Sequence, residues 1–327
     1  IAGFVYVLVG MMHDTWSANP ETAMWGVWCF LALRMLHGLS TGFRPTGTSA
    51  FLTDIIPKER RGEALGYLGV AGNAGMAGGP ALGSYLAVEY GYDAMFITSS
   101  VLGIIALLFT LKLPESLPNP RKVILDDLNI FKGGIFEKSA WPAALYLIPV
   151  SAAFGVFLTI TPDFVDALGY KYKGLFNTII VVSSILMRFI AGKASDKYGR
   201  EPLLVLGGFL LLTGMGIMSI ATTKEIAALG GVIYGLSIGV NMPTIFAWTA
   251  DLAPKNRVAL GLSTMLMALE IGIGCGAFIS GTLFAANHEL LPNIYLFCAV
   301  FAGVSACLLW IFYKRNLNLK KSPMGVE

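Results

Sequence analysis

Long apolar stretches separated by short polar segments make up most of this chain. A helix needs about 20 apolar residues to span the hydrocarbon core of a membrane, and ten stretches fit this pattern, the first of them short. They lie at 1–13, 23–49, 65–88, 94–112, 141–161, 174–192, 203–221, 226–249, 258–284 and 292–313. The pattern predicts an all-α membrane protein whose chain crosses the bilayer many times.

One connection is much longer than the others and divides the chain. Residues 113–140 hold the longest polar stretch, which includes "LPESLPNPRKVILDDLNIFKGG". We expect a cytoplasmic central loop there, between an amino-terminal half at 1–112 and a carboxy-terminal half at 141–313. Residues 314–327 then form a cytoplasmic tail.

Basic residues are distributed unequally between the two sets of loops. If the loops near 50–62, 113–140, 193–202 and 253–258 share a side with the carboxy terminus, that side holds seventeen of the 23 Lys and Arg residues. The opposite loops hold only Lys171, Lys173 and Lys224. Since cytoplasmic loops carry an excess of Lys and Arg, we expect a cytoplasmic carboxy terminus in the plasma (inner) membrane.

The two halves carry related segments. Residues 38–60 and 235–257 match at nine of 23 positions with a constant offset of 197, and both end in D-x-x-P-K-x-R. The shared carboxylates are Asp54 and Asp251. Both copies run in the same direction, which is typical of transporters built from parallel repeats. Because the second half has six predicted helices and the first has four, we expect two more upstream of Ile1, or twelve in the whole protein.

The composition of the chain limits the classes of protein to which it can belong. Hydrophobic residues make up 55% of the chain and charged residues 13%, against roughly 25% charged in soluble domains, and the mean hydropathy is +0.69. Cysteines and histidines lack metal-ligand spacing, and nucleotide-binding and hydrolase motifs are missing. We therefore expect neither an enzyme nor a metal or cofactor site, and no nucleic-acid partner. The expected partners of a monomeric chain are the lipid bilayer and a small-molecule substrate.

The loop "GKASDKYGRE" contains Gly192, Asp196, Gly199 and Arg200. It resembles the signature loop of the major facilitator superfamily, G-x-x-x-D-x-x-G-R-[K/R], with Glu201 in place of the last basic residue. The resemblance implies the major facilitator fold, in which two six-helix halves form a parallel pseudo-repeat. Glycines permit a tight turn, and Asp196 and Arg200 can pair as a cytoplasmic gate, to which we add the repeat carboxylates Asp54 and Asp251. The alternative is a solvated turn that only sets topology.

Two further stretches resemble drug–proton antiporters of the superfamily. "RMLHGLSTG" resembles their fourth-helix R-x-x-Q-G pattern, with His37 in place of Gln after Arg34, and Arg44 follows on a nearby face. "GYLGVAGNAGMAGGPALGS" resembles their fifth-helix motif, which is carried here by Gly66, Gly75, Gly79, Pro80 and Gly83. Small residues four apart let helices approach closely, so we expect a bent helix with a glycine contact face. Generic packing is the alternative for this glycine stretch. We expect Arg34, His37 and Arg44 to take part in proton coupling or in binding the substrate. Structural pairing is the alternative for Arg34, and a helix–helix hydrogen bond is the alternative for His37.

Glu270 is an acidic residue well inside a predicted helix. A low-dielectric setting favours the neutral form of a carboxyl group, and carboxylates at membrane depth often carry protons in transporters. Asn73 is the equivalent residue in the first half, and Asn241 is a further cavity candidate. A structural pair with Arg34 or Arg188 is the alternative for Glu270. We expect a proton-coupled exporter of a drug-like or metabolite substrate, driven by the proton gradient. Proton-coupled uptake of a sugar or other metabolite is the second choice.

Overall fold

In the computed structural model, residues 20–57, 60–114, 116 and 134–321 are described, and nearly all of them are helical. The long helices are α1 (Pro20–Ile55), α2 (Arg61–Thr110), α3 (Trp141–Ala167), α4 (Lys173–Tyr198), α5 (Arg200–Ser219), α6 (Lys224–Leu252), α7 (Val258–Ala286) and α8 (Leu291–Lys321). Short 3-10 turns at Lys138–Ala140 and His288–Leu290 precede α3 and α8. These ranges contain no strand, so the all-α prediction is confirmed.

Nine of the ten predicted segments fall on these helices, and segment 1–13 lies outside the described residues. Segments 65–88 and 94–112 are both part of α2, which is interrupted at Gly91 (φ 86°, ψ 167°). Glycine adopts positive φ at little cost, so Gly91 allows two membrane-length helices to follow each other without a loop. The stretch from Gly66 to Ser84 is helical throughout, with Pro80 inside the helix.

Seven helical stretches in the described ranges are long and apolar enough to cross a membrane. They are Tyr67–Thr110, Lys138–Ala167, Lys173–Tyr198, Arg200–Ser219, Lys224–Leu252, Val258–Ala286 and Leu291–Arg315. Many of their large apolar side chains face outward, for example Phe109 and Phe278. Such surfaces suit hydrocarbon rather than water.

The chain divides into two compact units, Ile1–Val123 and Ile124–Glu327. The boundary falls within the segment predicted as the central loop. The first unit contains α1 and α2. The second contains α3 to α8 and is here called the carboxy-terminal bundle.

Glycines bring α3 and α7 of the carboxy-terminal bundle into backbone contact. A Cβ atom at Gly276 would overlap the carbonyl oxygen of Ala152, and one at Gly155 would overlap that of Ile273. At Gly272 it would overlap the hydroxyl of Ser151. Close approach through small residues is typical of helix packing in membranes, and it explains the "GIGCGA" stretch without a nucleotide site.

Small residues also join the other helices of the bundle. A Cβ at Gly214 of α5 would lie 2.7 Å from the backbone nitrogen of Tyr234 in α6, and one at Gly208 would lie 2.6 Å from Cβ of Ala306 in α8. Buried aromatic side chains fill the spaces between, among them Tyr295, whose ring centroid is 5.2 Å from that of Phe164.

The bundle has two ends, which are defined by their connections. The α4–α5 end holds the α4–α5 and α6–α7 connections and the start of α3. The α7–α8 end holds the α3–α4, α5–α6 and α7–α8 connections. At the α7–α8 end, the Tyr170 hydroxyl donates to the Lys224 carbonyl at 3.0 Å, and Lys173 pairs with Asp166 at 3.2 Å.

Candidate functional site

Arg200, the first residue of α5, lies between two carboxylates at the α4–α5 end. Its Nε donates to Oδ2 of Asp251 in the last turn of α6 at 2.9 Å. Its Nη1 pairs with Oδ1 of Asp196 in the last turn of α4 at 2.5 Å and donates to Oγ of Ser195 at 2.9 Å. One guanidinium therefore joins the ends of α4, α5 and α6. These four residues are called the Arg200 cluster.

Gly199 positions the Arg200 cluster. It is the single residue between α4 and α5, with φ 94° and ψ 162°, a conformation that residues with a side chain rarely adopt. The chain therefore reverses direction within one residue, and Arg200 faces the carboxylate of Asp196. Gly192, earlier in α4, lies beside open space, and a Cβ atom there would meet no atom within 4 Å. The structure thus assigns the tight turn to Gly199.

The Arg200 cluster is accessible to solvent. The Arg200 side chain is 23% exposed, and those of Asp196 and Asp251 are 71% and 57% exposed. Solvent-exposed ion pairs contribute about 0–1 kcal/mol each. The cluster therefore holds the helix ends by contacts that are weak enough to break and re-form.

A second ion pair was not predicted from the sequence. Glu137, just before α3, has its Oε2 3.1 Å from Nε of Arg257, just before α7. Its Oε1 accepts hydrogen bonds from the backbone nitrogen and the hydroxyl of Ser139, and its own backbone nitrogen donates to Oγ1 of Thr264 at 2.8 Å. The hydrogen bond from the Ser139 backbone lowers the pKa of Glu137, and Arg257 lowers it further. Arg257 is part of the repeat motif, but no pattern in the sequence predicted that it contacts Glu137.

The two ion pairs lie on either side of the α6–α7 connection. Asp251 lies in the last turn of α6, just before this connection, and Arg257 is the last residue before α7. Both belong to the D-x-x-P-K-x-R repeat. Asp251 is held by α5 and Arg257 by the segment before α3. The repeat motif therefore links the whole α4–α5 end of the bundle.

Glu270 lies in the middle of α7, and its side chain is exposed. It is two residues from Gly272, so it projects from nearly the opposite side of the helix to the face that packs on α3. No hydrogen bond or ion pair joins Glu270 to another residue of the described ranges. Its predicted role in proton coupling stays a prediction.

In the first unit, Asp54 lies near the end of α1 and accepts a hydrogen bond from Oγ of Ser116 at 3.1 Å. Arg34 is exposed and His37 is half-buried on the same helix. The side chain of Arg44 lies outside the described residues. The sequence predictions for these basic residues therefore remain predictions.

Comparison with models of known protein families shows the family to which the chain belongs. A family model described as Major Facilitator Superfamily matches residues 1–229 and 173–325. The chain belongs to the major facilitator superfamily. It is therefore a multi-pass integral membrane transporter rather than an enzyme, and it moves a small molecule across the membrane.

Superfamily relatives include proteins named as drug exporters. The chain is 27% identical over 296 residues to the multi-drug resistance efflux pump PmrA of Streptococcus pneumoniae, covering 86% of this chain and 70% of that protein. It is 26% identical over 292 residues to the multidrug resistance protein MdtG of Enterobacter lignolyticus, covering 85% and 70%. An uncharacterized MFS-type transporter of Methanocaldococcus jannaschii is 26% identical over 303 residues, covering 88% and 75%.

Solved superfamily structures share the fold. The crystal structure of a D-xylose-proton symporter superposes with a TM-score of 0.68 at 17% identity, covering 95% of this chain and 79% of that chain. The partially occluded inward open xylose transporter XylE from E. coli gives a TM-score of 0.66 at 16% identity, covering 95% and 80%. At this level of identity the similarity extends to the fold alone.

The glycine stretch that resembles the antiporter motif lies on α2, which also includes Gly66. A Cβ atom at Gly75 or Gly79 would meet no atom within 4 Å, and one at Gly83 would be 3.7 Å from Sδ of Met95. Within the described part of the first unit, this glycine face is therefore open rather than packed. The predicted contact with another helix stays a prediction.

Asn241 of α6 lies inside the carboxy-terminal bundle and is 1% exposed. Its Oδ1 accepts a hydrogen bond from the Tyr146 hydroxyl at 2.8 Å, and its Nδ2 donates to Oγ of Ser237 at 3.0 Å. Gly207 of α5 leaves the space that the amide fills. The structure thus gives Asn241 a connecting role between helices, whereas Asn73 is half-buried on α2.

The described residues contain no group of three or more His, Cys, Asp or Glu side chains arranged to hold a metal ion. The polar groups that they bring together are the two ion-paired clusters at the α4–α5 end, the Lys173–Asp166 pair at the α7–α8 end and the hydrogen-bonded group around Asn241 within the bundle.

Proposed function

We propose that this transporter exports drug-like small molecules in exchange for protons. The observation that carries the direction of transport is the glycine face of α2. It is helical through Gly75, Gly79 and Pro80, and within the described part of the first unit a Cβ atom at Gly75 or Gly79 would meet no atom within 4 Å. The relatives named as efflux pumps support the same direction, since each covers about 85% of this chain.

The open glycine face suits a surface that another helix approaches during transport. Small residues allow backbones to come close, and Pro80 removes one backbone hydrogen bond and favours a bend. A helix that can be approached closely and can bend seals a pathway in one state and opens it in another. Bulky side chains on this face are expected to prevent that closure.

The proton-coupling residue in this proposal is Glu270. A carboxylate within a membrane span is costly unless it has a function or a partner. Glu270 is exposed on the side of α7 away from α3 and has no partner among the described residues. Protonation removes its charge, which changes the cost of moving this surface between water and hydrocarbon.

The Arg200 cluster acts as the gate in this proposal. Alternating access requires helix ends to hold together in one state and to release in the other. Exposed charge pairs are suitable for this, because water can solvate Arg200, Asp196 and Asp251 when they part. The distribution of Lys and Arg supports a cytoplasmic position for this end and for the carboxy terminus. We further propose that the protein acts as a monomer in the plasma (inner) membrane.

Everted membrane vesicles containing the full-length protein test the direction of transport. Respiration acidifies their interior, and ethidium serves as the organic-cation probe. A proton antiporter accumulates ethidium inside such vesicles, and nigericin, which collapses the pH gradient, abolishes the accumulation. Ethidium accumulation that is unchanged by nigericin contradicts the proposal. Xylose accumulation by right-side-out vesicles under an inward proton gradient supports uptake by symport instead.

A further inference from the structure

A cavity of about 570 Å³ lies where α3, α7 and α8 of the carboxy-terminal bundle meet. α7 packs closely on α3 but hardly touches α8, and all three helices contribute residues to the lining of the cavity. Its walls include Val156 of α3, Cys275 and Ile279 of α7, and Phe297 and Phe301 of α8. The volume lies within the range of small-molecule binding pockets, about 300–1,000 Å³.

The cavity extends along one half of the membrane span. Asn293, near the start of α8, lines the cavity toward the α7–α8 end, and Phe301 lines its other end. Eight residues of helix separate them, or about 12 Å at 1.5 Å per residue. The α7 wall from Cys275 to Leu283 has the same length. One leaflet of the hydrocarbon core is about 15 Å thick, so the cavity follows the depth of a single leaflet.

The lining is apolar along this depth. Ser280 is fully buried, and its hydroxyl donates to the carbonyl of Ala277 in its own helix at 3.2 Å. Asn293 is exposed and supplies a polar side chain only toward the α7–α8 end. The remaining walls are aliphatic or aromatic side chains, the small side chain of Ala152 and two thiols. Such a space offers nothing to a charged or strongly hydrogen-bonding ligand.

An apolar cavity of this size is costly to leave empty. Wall atoms without neighbours lose dispersion contacts, and protein interiors contain few voids larger than a water molecule. The surrounding medium at this depth is hydrocarbon, since the three helices are membrane spans. Phe297 and Phe301 are 62% and 44% exposed and face this medium.

We propose that the cavity binds one acyl chain of a membrane phospholipid from the leaflet at the α7–α8 end. The chain enters between α7 and α8, with its ester end beside Asn293 and its methyl end beside Phe301. The bound chain fills the gap that α7 and α8 leave and so fixes their separation. This site lies within one unit and is independent of the Arg200 cluster and of Glu270.

Photo-crosslinking in proteoliposomes tests this site in the full-length protein. The probe is phosphatidylcholine with a diazirine either near the ester or near the terminal methyl of one acyl chain. The proposal predicts that the ester-side probe labels α8 between Asn293 and Phe297. The methyl-side probe should label Phe301 and Ile148, which line the opposite end of the cavity on α8 and α3. Labelling that is spread evenly over exposed span residues such as Phe278, without this order in depth, overturns it.

Substitutions at one position distinguish a bound chain from ordinary boundary lipid. Cys275→Trp fills the cavity and is expected to abolish labelling at Phe301 and Ile148. Cys275→Ser, which keeps the space, and Phe278→Trp, on an exposed face of the same helix, are expected to retain it. If Cys275→Trp does not fold, the proposal is tested by the wild-type protein alone, in which the ester-side and methyl-side probes should label residues at different depths. Loss of labelling in saturating ethidium identifies the occupant as a transported molecule and overturns the lipid assignment.

Discussion

The guanidinium of Arg200 donates to the carboxylate of Asp251 at 2.9 Å, although 51 residues separate them in the chain. This contact joins the signature loop of the superfamily to the D-x-x-P-K-x-R repeat. Two motifs that are separate in the sequence therefore form one site at the α4–α5 end. The contact gives the gate hypothesis a specific pair to test.

A double-mutant cycle measures the Arg200–Asp251 pair. Arg200→Ala and Asp251→Ala should each reduce transport, and the double variant should cost no more than either alone, because the two residues act as a unit. A coupling of about 1 kcal/mol changes the ratio of two conformations by about fivefold. Initial rates of ethidium transport and thermal unfolding by intrinsic fluorescence are the measurements.

The Lys173–Asp166 pair at the α7–α8 end is the matched control for this cycle. Asp166→Ala removes an exposed ion pair of similar length and should leave transport near the wild-type rate. Arg200→Lys should also reduce transport, because an ammonium group does not reproduce the planar guanidinium that contacts both carboxylates. If the double variant loses as much transport as the two single variants lose together, Arg200 and Asp251 do not act as a unit.

The pKa of Glu137 predicts an acid-sensitive contact. It lies below the ordinary value of 4.5, owing first to the Ser139 backbone hydrogen bond and then to the Ser139 hydroxyl and Arg257. A lowered folded-state pKa adds stability that is fully present above the unfolded value and is lost as the pH falls through the folded value. The melting temperature of wild type should therefore exceed that of Glu137→Gln by a constant margin above about pH 5, and the margin should shrink below pH 4.5.

Glu289→Gln is the control for this pH series, because Glu289 is exposed in the α7–α8 connection. Its melting temperature should follow that of wild type at every pH. A difference between wild type and Glu137→Gln that does not change between pH 7 and pH 3 contradicts the role of this carboxylate.

Close packing of α3 on α7 predicts unequal effects of two substitutions on α7. In Gly276→Ala the new methyl group overlaps the carbonyl oxygen of Ala152, whereas in Gly274→Ala it meets nothing within 4 Å. Overpacking typically costs about 1–3 kcal/mol. The Gly276 variant should therefore unfold at a lower temperature or lower denaturant concentration than wild type, and the Gly274 variant should not. Equal stability of the two variants contradicts the contact.

The glycine face of α2 predicts loss of transport without loss of folding. Gly79→Leu places a side chain in open space in this structure, so expression and unfolding temperature should stay near those of wild type. Transport should fall strongly if another helix approaches this face during the cycle. Gly103→Leu, in the part of α2 beyond Gly91, is the matched control, because a Cβ there also meets no atom of the described residues within 4 Å. Full activity of Gly79→Leu contradicts the direction-determining role of this face.

Hydrophobic length and residue type predicted the helices well, because a membrane span requires a continuous apolar helix. The sequence also identified Arg200, Asp196 and Asp251 through local motifs. It did not predict the Glu137–Arg257 pair, since this depends on how α3 packs beside α7. The sequence suggested Asn241 as a cavity residue, and the structure shows it hydrogen-bonded between helices. A polar residue in a span looks the same in the sequence in both cases.

Two separate spans were predicted on either side of Gly91, and the structure has two helices that meet at this single glycine without a loop between them. The apolar cavity between α3, α7 and α8 was not predicted at all, because its lining residues do not differ in type from lipid-facing ones.

The central claim is tested most directly by proton movement in proteoliposomes that contain the purified full-length protein and interior pyranine as a pH indicator. Ethidium added outside under an imposed pH gradient, acidic inside, should enter as protons leave, and Glu270→Gln should abolish the ethidium-dependent proton flux. Glu289→Gln is the control and should retain it. If Glu270→Gln moves ethidium and protons as wild type does, Glu270 is not the coupling residue. If wild-type transport of ethidium is independent of the pH gradient, proton-coupled export is contradicted.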